Sequence, residues 1–395
     1  MININKADRI VQLYTEKFIL ASQPSAPLWN CENRLFSKPS RWNYMDGCMI
    51  RALLMLYDIS GKPELLDYSC RFTDYYVTPE GKIPTMNPLD FNLDNINGGK
   101  NLIYLWRKTG CERYRAAFEN IYNDQLLNQP RLKCGNFYHK AVYPSQIWLD
   151  GIYMALPFIA EYSLIHGDEA ITADILNQLS NVRKLMRDNA TGLYYHGYDE
   201  SRCSGWADKN TGLSSEFWLR SIGWYCAALA DLCEIYKNSG GEIFQFCERN
   251  LNELLSALCS FIGEDNMLYQ LPARRELKEN YPETSGTLLF AYSALKAQET
   301  GIGNAEIWSY GKNAFDSVTE NFIDIDNSGL PVLKNICLVA GLGGPENRDG
   351  TAEYYLSEPY VENEAKGIAP YIMAAAEIKK LYSSSSKKAV LNSRK

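Results

Sequence analysis

The chain has 395 residues, of which 46% are hydrophobic and 22% charged, a composition typical of a globular protein with a large core. Its net charge of −7 and pI near 5.3 exclude the basic surface that nucleic-acid-binding proteins present. No stretch of about 18 uncharged apolar residues occurs, and the first residues lack the apolar core of a signal peptide, so we predict a cytoplasmic protein that does not span a membrane.

Twelve segments with the apolar periodicity of helices follow one another along the chain. They predict helices that begin near residues 5, 43, 63, 95, 112, 145, 168, 214, 241, 283, 304 and 365. The breaks between them alternate: those at Gly61, Gly110, Gly167, Gly240 and Gly301 are tight, and those before residues 95, 145, 214, 283 and 365 are long. Tight turns make antiparallel hairpins, so we predict an all-α fold, an (α/α)6 barrel or six-hairpin toroid.

A closed ring of six hairpins explains how so long a chain forms a single domain, which we place at residues 1–382. The serine- and lysine-rich residues 383–395 are predicted to be a flexible tail. The even-numbered segments are predicted to be the inner helices, because residues 147–160 are apolar on nearly every side. The long connections carry many of the Trp, Tyr, His and Asp residues, so we expect a site at that end of the ring.

Asp150 is the only charged residue between Ala141 and Ala160. Burial in such a segment disfavours the charged form of a carboxyl group, and a general acid near neutral pH needs a carboxyl group that keeps its proton. The structural alternative is that Asp150 interacts with the first turn of its own helix.

Asp94 stands directly before the next inner helix upstream, where aspartate is a common N-cap. Because Asp150 begins another inner helix, the two carboxyl groups are predicted to lie at the same end of the ring. Paired carboxyl groups in different environments are a recurrent acid/base arrangement. Capping and catalysis both remain open for Asp94.

The segment from Ser214 to Trp224 opens a further inner helix, and its spacing places Glu216, Arg220 and Trp224 on one helical face. A guanidinium group beside an indole suits an anionic sugar, since one binds a carboxylate and the other stacks on the ring. A structural ion pair between Glu216 and Arg220 is the alternative.

The three histidines, His139, His166 and His196, are too far apart for a metal-binding motif, and the eleven cysteines include no CxxC pair. The sequence also lacks phosphate-loop and dinucleotide-binding glycine motifs. We predict reduced cysteines, no metal and no cofactor. His139 and His196 lie in long aromatic connections at the predicted site, whereas His166 precedes Gly167 at a helix end.

Several motifs together resemble the unsaturated rhamnogalacturonyl hydrolases of glycoside hydrolase family 105. In the family's order they are Trp42 to Gly47, Tyr138-His139-Lys140, Tyr143-Pro144, Trp148-Leu149-Asp150-Gly151, Ser215 to Trp224, Glu283 to Thr287 and Glu353 to Pro359. They span about residues 40 to 380. One departure is Asn363-Glu364-Ala365-Lys366-Gly367, where the family has Asn-Asp-x-Lys-Gly, with Pro370 close behind.

The resemblance implies an (α/α)6 barrel that acts on oligosaccharides with a 4,5-unsaturated galacturonic acid at the non-reducing end. It implies hydration of the vinyl ether: Asp150 protonates C4, water adds at C5, and the resulting hemiketal opens to release the neighbouring sugar. Asp94 matches the family's second aspartate. The residues implied to bind substrate are His139, His196, Arg220, Trp224, Trp218, Tyr44 and Met45.

Three alternatives stay open. An unsaturated glucuronyl hydrolase for glycosaminoglycan-type disaccharides shares the fold and the acid. A sugar epimerase of the N-acylglucosamine type depends on paired histidines, in which this chain is poor. A catalytically inactive sugar-binding protein is disfavoured by the intact Asp94, Asp150, His196 and Arg220. The sequence predicts neither the oligomeric state nor the sugar that is released.

Overall fold

The computed structural model describes residues 4–344 and 348–392, with side chains for residues 5–344 and 348–383. Twelve helices correspond to the predicted segments: α1 Ile4–Leu13, α3 Tyr44–Ser60, α4 Pro63–Tyr76, α5 Gly99–Thr109, α6 Glu112–Asn120, α7 Leu149–His166, α8 Glu169–Met186, α9 Leu219–Tyr236, α10 Gly241–Cys259, α11 Thr284–Thr300, α12 Ala305–Asn321 and α14 Ala365–Asn392. The largest difference from the predicted starts is at α9, which begins at Leu219 rather than near residue 214.

The shorter elements were not predicted. They are the helices α2 Cys31–Leu35 and α13 Ala352–Ser357, the π-helical turns Tyr14–Ile19 and Ile121–Gln125, and the 3-10 turns Pro88–Asp90, Leu93–Ile96 and Leu126–Asn128. Six strands form three antiparallel ribbons: β1 Gln146–Trp148 with β2 Gly197–Asp199, β3 Ile323–Ile325 with β4 Pro331–Leu333, and β5 Ile336–Cys337 with β6 Tyr360–Val361. Helix nevertheless dominates, which confirms the predicted all-α class.

The inner helices form a closed ring, in which α3, α5, α7, α9, α11 and α14 each contact the next and α14 contacts α3. Each of the first five packs against the helix that follows it, from α3 with α4 to α11 with α12, and α1 packs against α14. This is the predicted (α/α)6 barrel. One apolar cluster runs through it from Ala7 to Ile378.

A glycine ends each of the inner helices α3, α5, α7 and α11 at its tight turn. Gly61 after α3 and Gly167 after α7 both have φ of 65°, in the left-handed region that glycine adopts at little cost. Each donates its backbone N–H to a carbonyl of the last helical turn, Tyr57 and Ser163 respectively. The chain therefore reverses within a few residues at this end, and the long connections gather at the other.

The last inner helix forms although its motif departs from the family pattern. Helix α14 begins at Ala365 and continues past Pro370 in its second turn, although proline cannot donate the helical hydrogen bond at that position. Glu364 accepts a hydrogen bond from the backbone N–H of Lys366 (2.6 Å). The predicted domain bounds and the predicted tail stay predictions, since residues 393–395 and the side chains from residue 384 onward lie outside the described part of the chain. Among the described residues, no helix combines the length and the apolar character that a membrane crossing requires.

Candidate active site

A cleft of about 650 Å³ opens at the N-terminal ends of the inner helices. Six of the predicted site residues line it: Tyr44, Asp94, His139, Asp150, Trp218 and Arg220. Helix N-termini carry partial positive charge, so this end of the ring attracts anionic groups.

Asp150 lies in the first turn of α7, and its side chain is 15% exposed. Its Oδ2 atom is buried, so the exposed part lies on the Oδ1 side. Oδ2 is 3.2 Å from Nε2 of the fully buried His196, yet neither atom makes a well-aligned hydrogen bond within the described structure. The N-cap residue Trp148 makes no side-chain cap hydrogen bond, and Asp150 lies in the first turn, so the structural and the catalytic interpretation of Asp150 both stay predictions.

A short ribbon brings these two side chains together. Strand β1 ends at Trp148 just before Asp150, and β2 begins at Gly197 just after His196. Trp148 pairs with Gly197, and the Leu149 N–H donates to the His196 carbonyl (2.9 Å). The backbone ladder therefore sets the position of the histidine relative to the carboxyl group. His196 does not itself line the cleft but lies directly behind Asp150.

Asp94 is held as an anion by a neighbouring cation. Burial alone would raise its pKa, but nearby cations, chiefly the Lys140 ammonium at 2.6 Å and also Lys366, together outweigh burial and hold the pKa below its usual range. Asp94 does not cap α5, whose N-cap is Gly98 with no side-chain hydrogen bond. Burial lowers the pKa of the adjacent His139 to about 4, so this ring is neutral near pH 7.

Arg220 lies in the first turn of α9, with its guanidinium carbon 4.7 Å from the centre of the Trp218 ring. Its Nη1 donates to the Cys337 carbonyl and to Ser285 Oγ. The predicted common face with Glu216 is wrong, because Glu216 precedes the first residue of α9 and the helical spacing does not apply there. Glu216 instead pairs with Arg274 (2.8 Å), so the alternative ion pair with Arg220 is also wrong.

Two predicted substrate-binding residues lie behind the walls of the cleft. Trp224 is fully buried and stacks on Tyr153, with 4.7 Å between ring centres. Met45 is buried beside Lys366, whose ammonium nitrogen lies 3.9 Å from the sulfur. Neither lines the cleft, and their contact with substrate stays a prediction.

The cleft also contains residues that were not predicted as site residues: Glu32, Lys140, Tyr143, Trp148, Met154, Val339, Ala340, Gly341 and Arg348. Trp148 is sandwiched between His139 and Tyr143, at 4.7 and 4.6 Å between ring centres. The family motifs around Asp150 were the available signal for Lys140, Tyr143 and Trp148. Glu32 lies on the unpredicted helix α2, and no sequence signal indicated it.

Comparison with known proteins agrees with this architecture. A solved glycoside hydrolase of family 105 from C. acetobutylicum ATCC 824 is 34% identical, with a TM-score of 0.86, over 95% of this chain and 99% of that one. The unsaturated rhamnogalacturonyl hydrolase YesR of Bacillus subtilis (strain 168) is 23% identical over 243 residues, which are 60% of this chain and 66% of YesR. The unsaturated glucuronyl hydrolase of Bacillus sp. GL1 shares the fold, at 13% identity and a TM-score of 0.66 over 95% of each chain.

The model of Glycosyl Hydrolase Family 88 matches residues 23–382, which is most of the chain. Together with the family 105 structure, this confirms the resemblance predicted from the motifs. The chain therefore belongs to glycosyl hydrolase family 88 and is a glycoside hydrolase.

Proposed function

We propose that the protein releases 4,5-unsaturated galacturonic acid from the non-reducing end of rhamnogalacturonan-derived oligosaccharides. The observation that carries this proposal is the position of Asp150. Its carboxyl group lies in a cleft that Arg220 also lines, beside His196 and at the N-terminal ends of the inner helices. A proton donor next to groups that bind an anion is what an unsaturated uronic acid requires.

Asp150 supplies the proton in the proposed reaction. Its O–H bond breaks while the electron pair of the C4=C5 double bond forms a C4–H bond, and the ring oxygen shares the positive charge left at C5. Water then bonds to C5 and returns a proton to Asp150. The hemiketal opens and the neighbouring sugar leaves. This route differs from that of glycosidases that attack the anomeric carbon with two carboxyl groups.

Arg220 is the proposed partner of the uronate carboxylate. Burial alone would lower its pKa, but neighbouring groups, Glu283 among them, hold the pKa above its usual value, and the guanidinium stays charged. Within the described residues only Nη1 donates to protein acceptors, which leaves the rest of the planar group for a ligand. Trp218 beneath the guanidinium limits its movement.

Asp94 is the proposed acceptor for sugar hydroxyl groups or for the attacking water. Because Lys140 keeps it ionised, it cannot compete with Asp150 as the proton donor. The neutral His139 and the Tyr44 side chain complete the wall around the sugar. We also propose that the enzyme works in the cytoplasm, a compartment in which the exposed thiols of Cys111 and Cys203 stay reduced.

The test uses two lyase-generated disaccharides, one from rhamnogalacturonan and one from a glycosaminoglycan. We expect the ultraviolet absorbance of the conjugated double bond to disappear faster with the rhamnogalacturonan disaccharide. The opposite preference would support the glucuronyl hydrolase alternative, whose relative from Bacillus sp. GL1 shares the fold. No loss with either disaccharide would contradict the proposal.

A further inference from the structure

A chain of three side chains leads from the cleft into the protein. Nε2 of His196 is 3.2 Å from Asp150 Oδ2, and the other ring nitrogen, Nδ1, is 2.7 Å from the hydroxyl oxygen of Tyr355. Tyr355 lies on α13 and is fully buried. Its ring stacks on Trp218, at 6.1 Å between centres and 24° between planes, so the hydroxyl group is held in place by packing.

The hydroxyl proton of Tyr355 determines which nitrogen of His196 carries hydrogen. Burial raises the pKa of Tyr355 well above its usual value, so the hydroxyl keeps its proton. Among the described residues, His196 Nδ1 is its sole hydrogen-bond partner. A buried hydroxyl group that does not donate loses a hydrogen bond, so Tyr355 donates and Nδ1 accepts. The hydrogen of the neutral ring is then on Nε2, which faces Asp150.

The same contact opposes protonation of His196. An imidazolium ion donates from both nitrogens, and the Tyr355 proton would then have no acceptor in its apolar surroundings of Trp218 and Leu342. Other charged groups around the chain include the carboxylates of Asp94 and Glu216, which are paired with Lys140 and Arg274, and the Arg220 guanidinium over Trp218, which also opposes a second positive charge on His196. The neutral ring with hydrogen on Nε2 therefore satisfies Nδ1 and the Tyr355 hydroxyl group, and it places the Nε2 hydrogen toward Asp150 Oδ2, 3.2 Å away.

We propose that Tyr355 is a positioning residue that fixes the Nε2–H tautomer of His196 against Asp150. This inference rests on the proposed function for its catalytic consequence. As the proton leaves Oδ1 of Asp150 for C4, negative charge develops on the carboxylate, and His196 Nε2–H donates to Oδ2. That hydrogen bond stabilises the conjugate base and makes Asp150 a stronger acid. With hydrogen on Nδ1 instead, a lone pair of Nε2 would face the carboxylate and repel it.

The tautomer is measurable without substrate. The chain has three histidines, so proton–nitrogen correlation spectra of ¹⁵N-histidine-labelled protein can be assigned with a His196→Gln variant. We expect a pyrrole-type Nε2 and a pyridine-type Nδ1 for His196 in the wild-type protein near pH 7. In Tyr355→Phe, which keeps the aromatic ring, we expect a mixture of both tautomers. Hydrogen on Nδ1 in the wild type, or an unchanged spectrum in Tyr355→Phe, would overturn the proposal.

Kinetics test the catalytic consequence on the unsaturated rhamnogalacturonan disaccharide. We expect Tyr355→Phe to lower kcat roughly tenfold with little change in KM, as for the loss of one hydrogen bond made to the reacting group. The matched control is Tyr371→Phe, which removes another buried hydroxyl group, 3.3 Å from Thr319 between α12 and α14, and should leave kcat unchanged. An equal loss in both variants would overturn the proposal. An inactive wild type would instead refute the proposed function, while the spectra still decide the tautomer.

Discussion

Helix α9 carries two charged groups in opposite situations. Near its start, Arg220 lines the cleft with Asp150, whose Oδ2 lacks a well-aligned hydrogen bond within the described residues. Some 16 Å further along, by the rise of an α-helix, Asp231 is buried, accepts a hydrogen bond from Tyr292 (2.5 Å) and forms an ion pair with Lys296 (3.0 Å). Arg220 is therefore accessible to a ligand in the cleft, whereas Asp231 has all its partners within the protein.

The comparison separates charged groups that stabilise the fold from charged groups that are available to a ligand. Burial alone would raise the pKa of Asp231, but Lys296 and the other nearby cations hold it below its usual range. Lys296 also pairs with Glu234 (2.6 Å). Removing such a buried partner leaves an uncompensated charge. Asp150 and Arg220 in the cleft lack this full set of protein partners, as the proposed binding of substrate requires.

Asp150→Asn should have the largest effect. The amide cannot donate the required proton, so we expect kcat to fall about 10³-fold, as for the loss of a general acid. The urea midpoint of unfolding should stay unchanged, because Asp150 Oδ2 makes no well-aligned hydrogen bond with the part of the chain that the structure describes. The ultraviolet assay measures kcat, and urea unfolding measures the midpoint. Retained activity would refute the role of Asp150 as the general acid.

Lys296→Met should show the opposite pattern. It leaves the buried Asp231 without its main cation, so we expect the free energy of unfolding to drop by about 3 kcal/mol. The kcat of the folded enzyme should not change, since the pair lies far from the cleft. The control Lys108→Met breaks the exposed pair with Asp58 (3.0 Å) and should cost less than about 1 kcal/mol. Equal destabilisation by both variants would contradict the comparison.

Arg220→Ala should weaken the binding of uronates. Hydrogen bonds to a charged group contribute about 1.5–3 kcal/mol, so we expect KM to rise roughly ten- to a hundredfold. Arg274→Ala is the control, because this guanidinium pairs with Glu216 and does not line the cleft. Saturation kinetics on the unsaturated disaccharide distinguish them, and an unchanged KM for Arg220→Ala would contradict its role.

Lys140→Met should have the smallest effect of the four variants. Its effect on the free energy of unfolding should depend on pH. In the wild type, folding lowers the pKa of Asp94. The pair with Lys140 therefore stabilises the protein fully at pH values above the unfolded pKa of about 4. This stabilisation is lost as the pH falls through the lowered pKa. We expect the variant to be less stable near pH 7 and equal to the wild type in acid. Urea unfolding across this pH range measures the difference, which should vanish in the Asp94→Asn background.

The sequence by itself determined the helices and their order. A helix depends on residues three and four positions apart, so the apolar period, the glycines after the turns and the alternating connection lengths suffice to predict the ring. The same local pattern placed Asp94 and Asp150 at one end of it. The motifs then identified the family. The apolar periodicity, the turn glycines and the motifs all depend only on residues close together in the sequence.

Only the tertiary structure decided how the site is assembled. His196 meets Asp150 through a ribbon between segments about 50 residues apart, and Tyr355 reaches His196 from α13. Glu216 pairs with Arg274 because α9 begins only at Leu219. Trp224 packs against Tyr153 inside the ring and does not line the cleft. Contacts between distant segments depend on how the whole ring packs, and no local pattern records that packing.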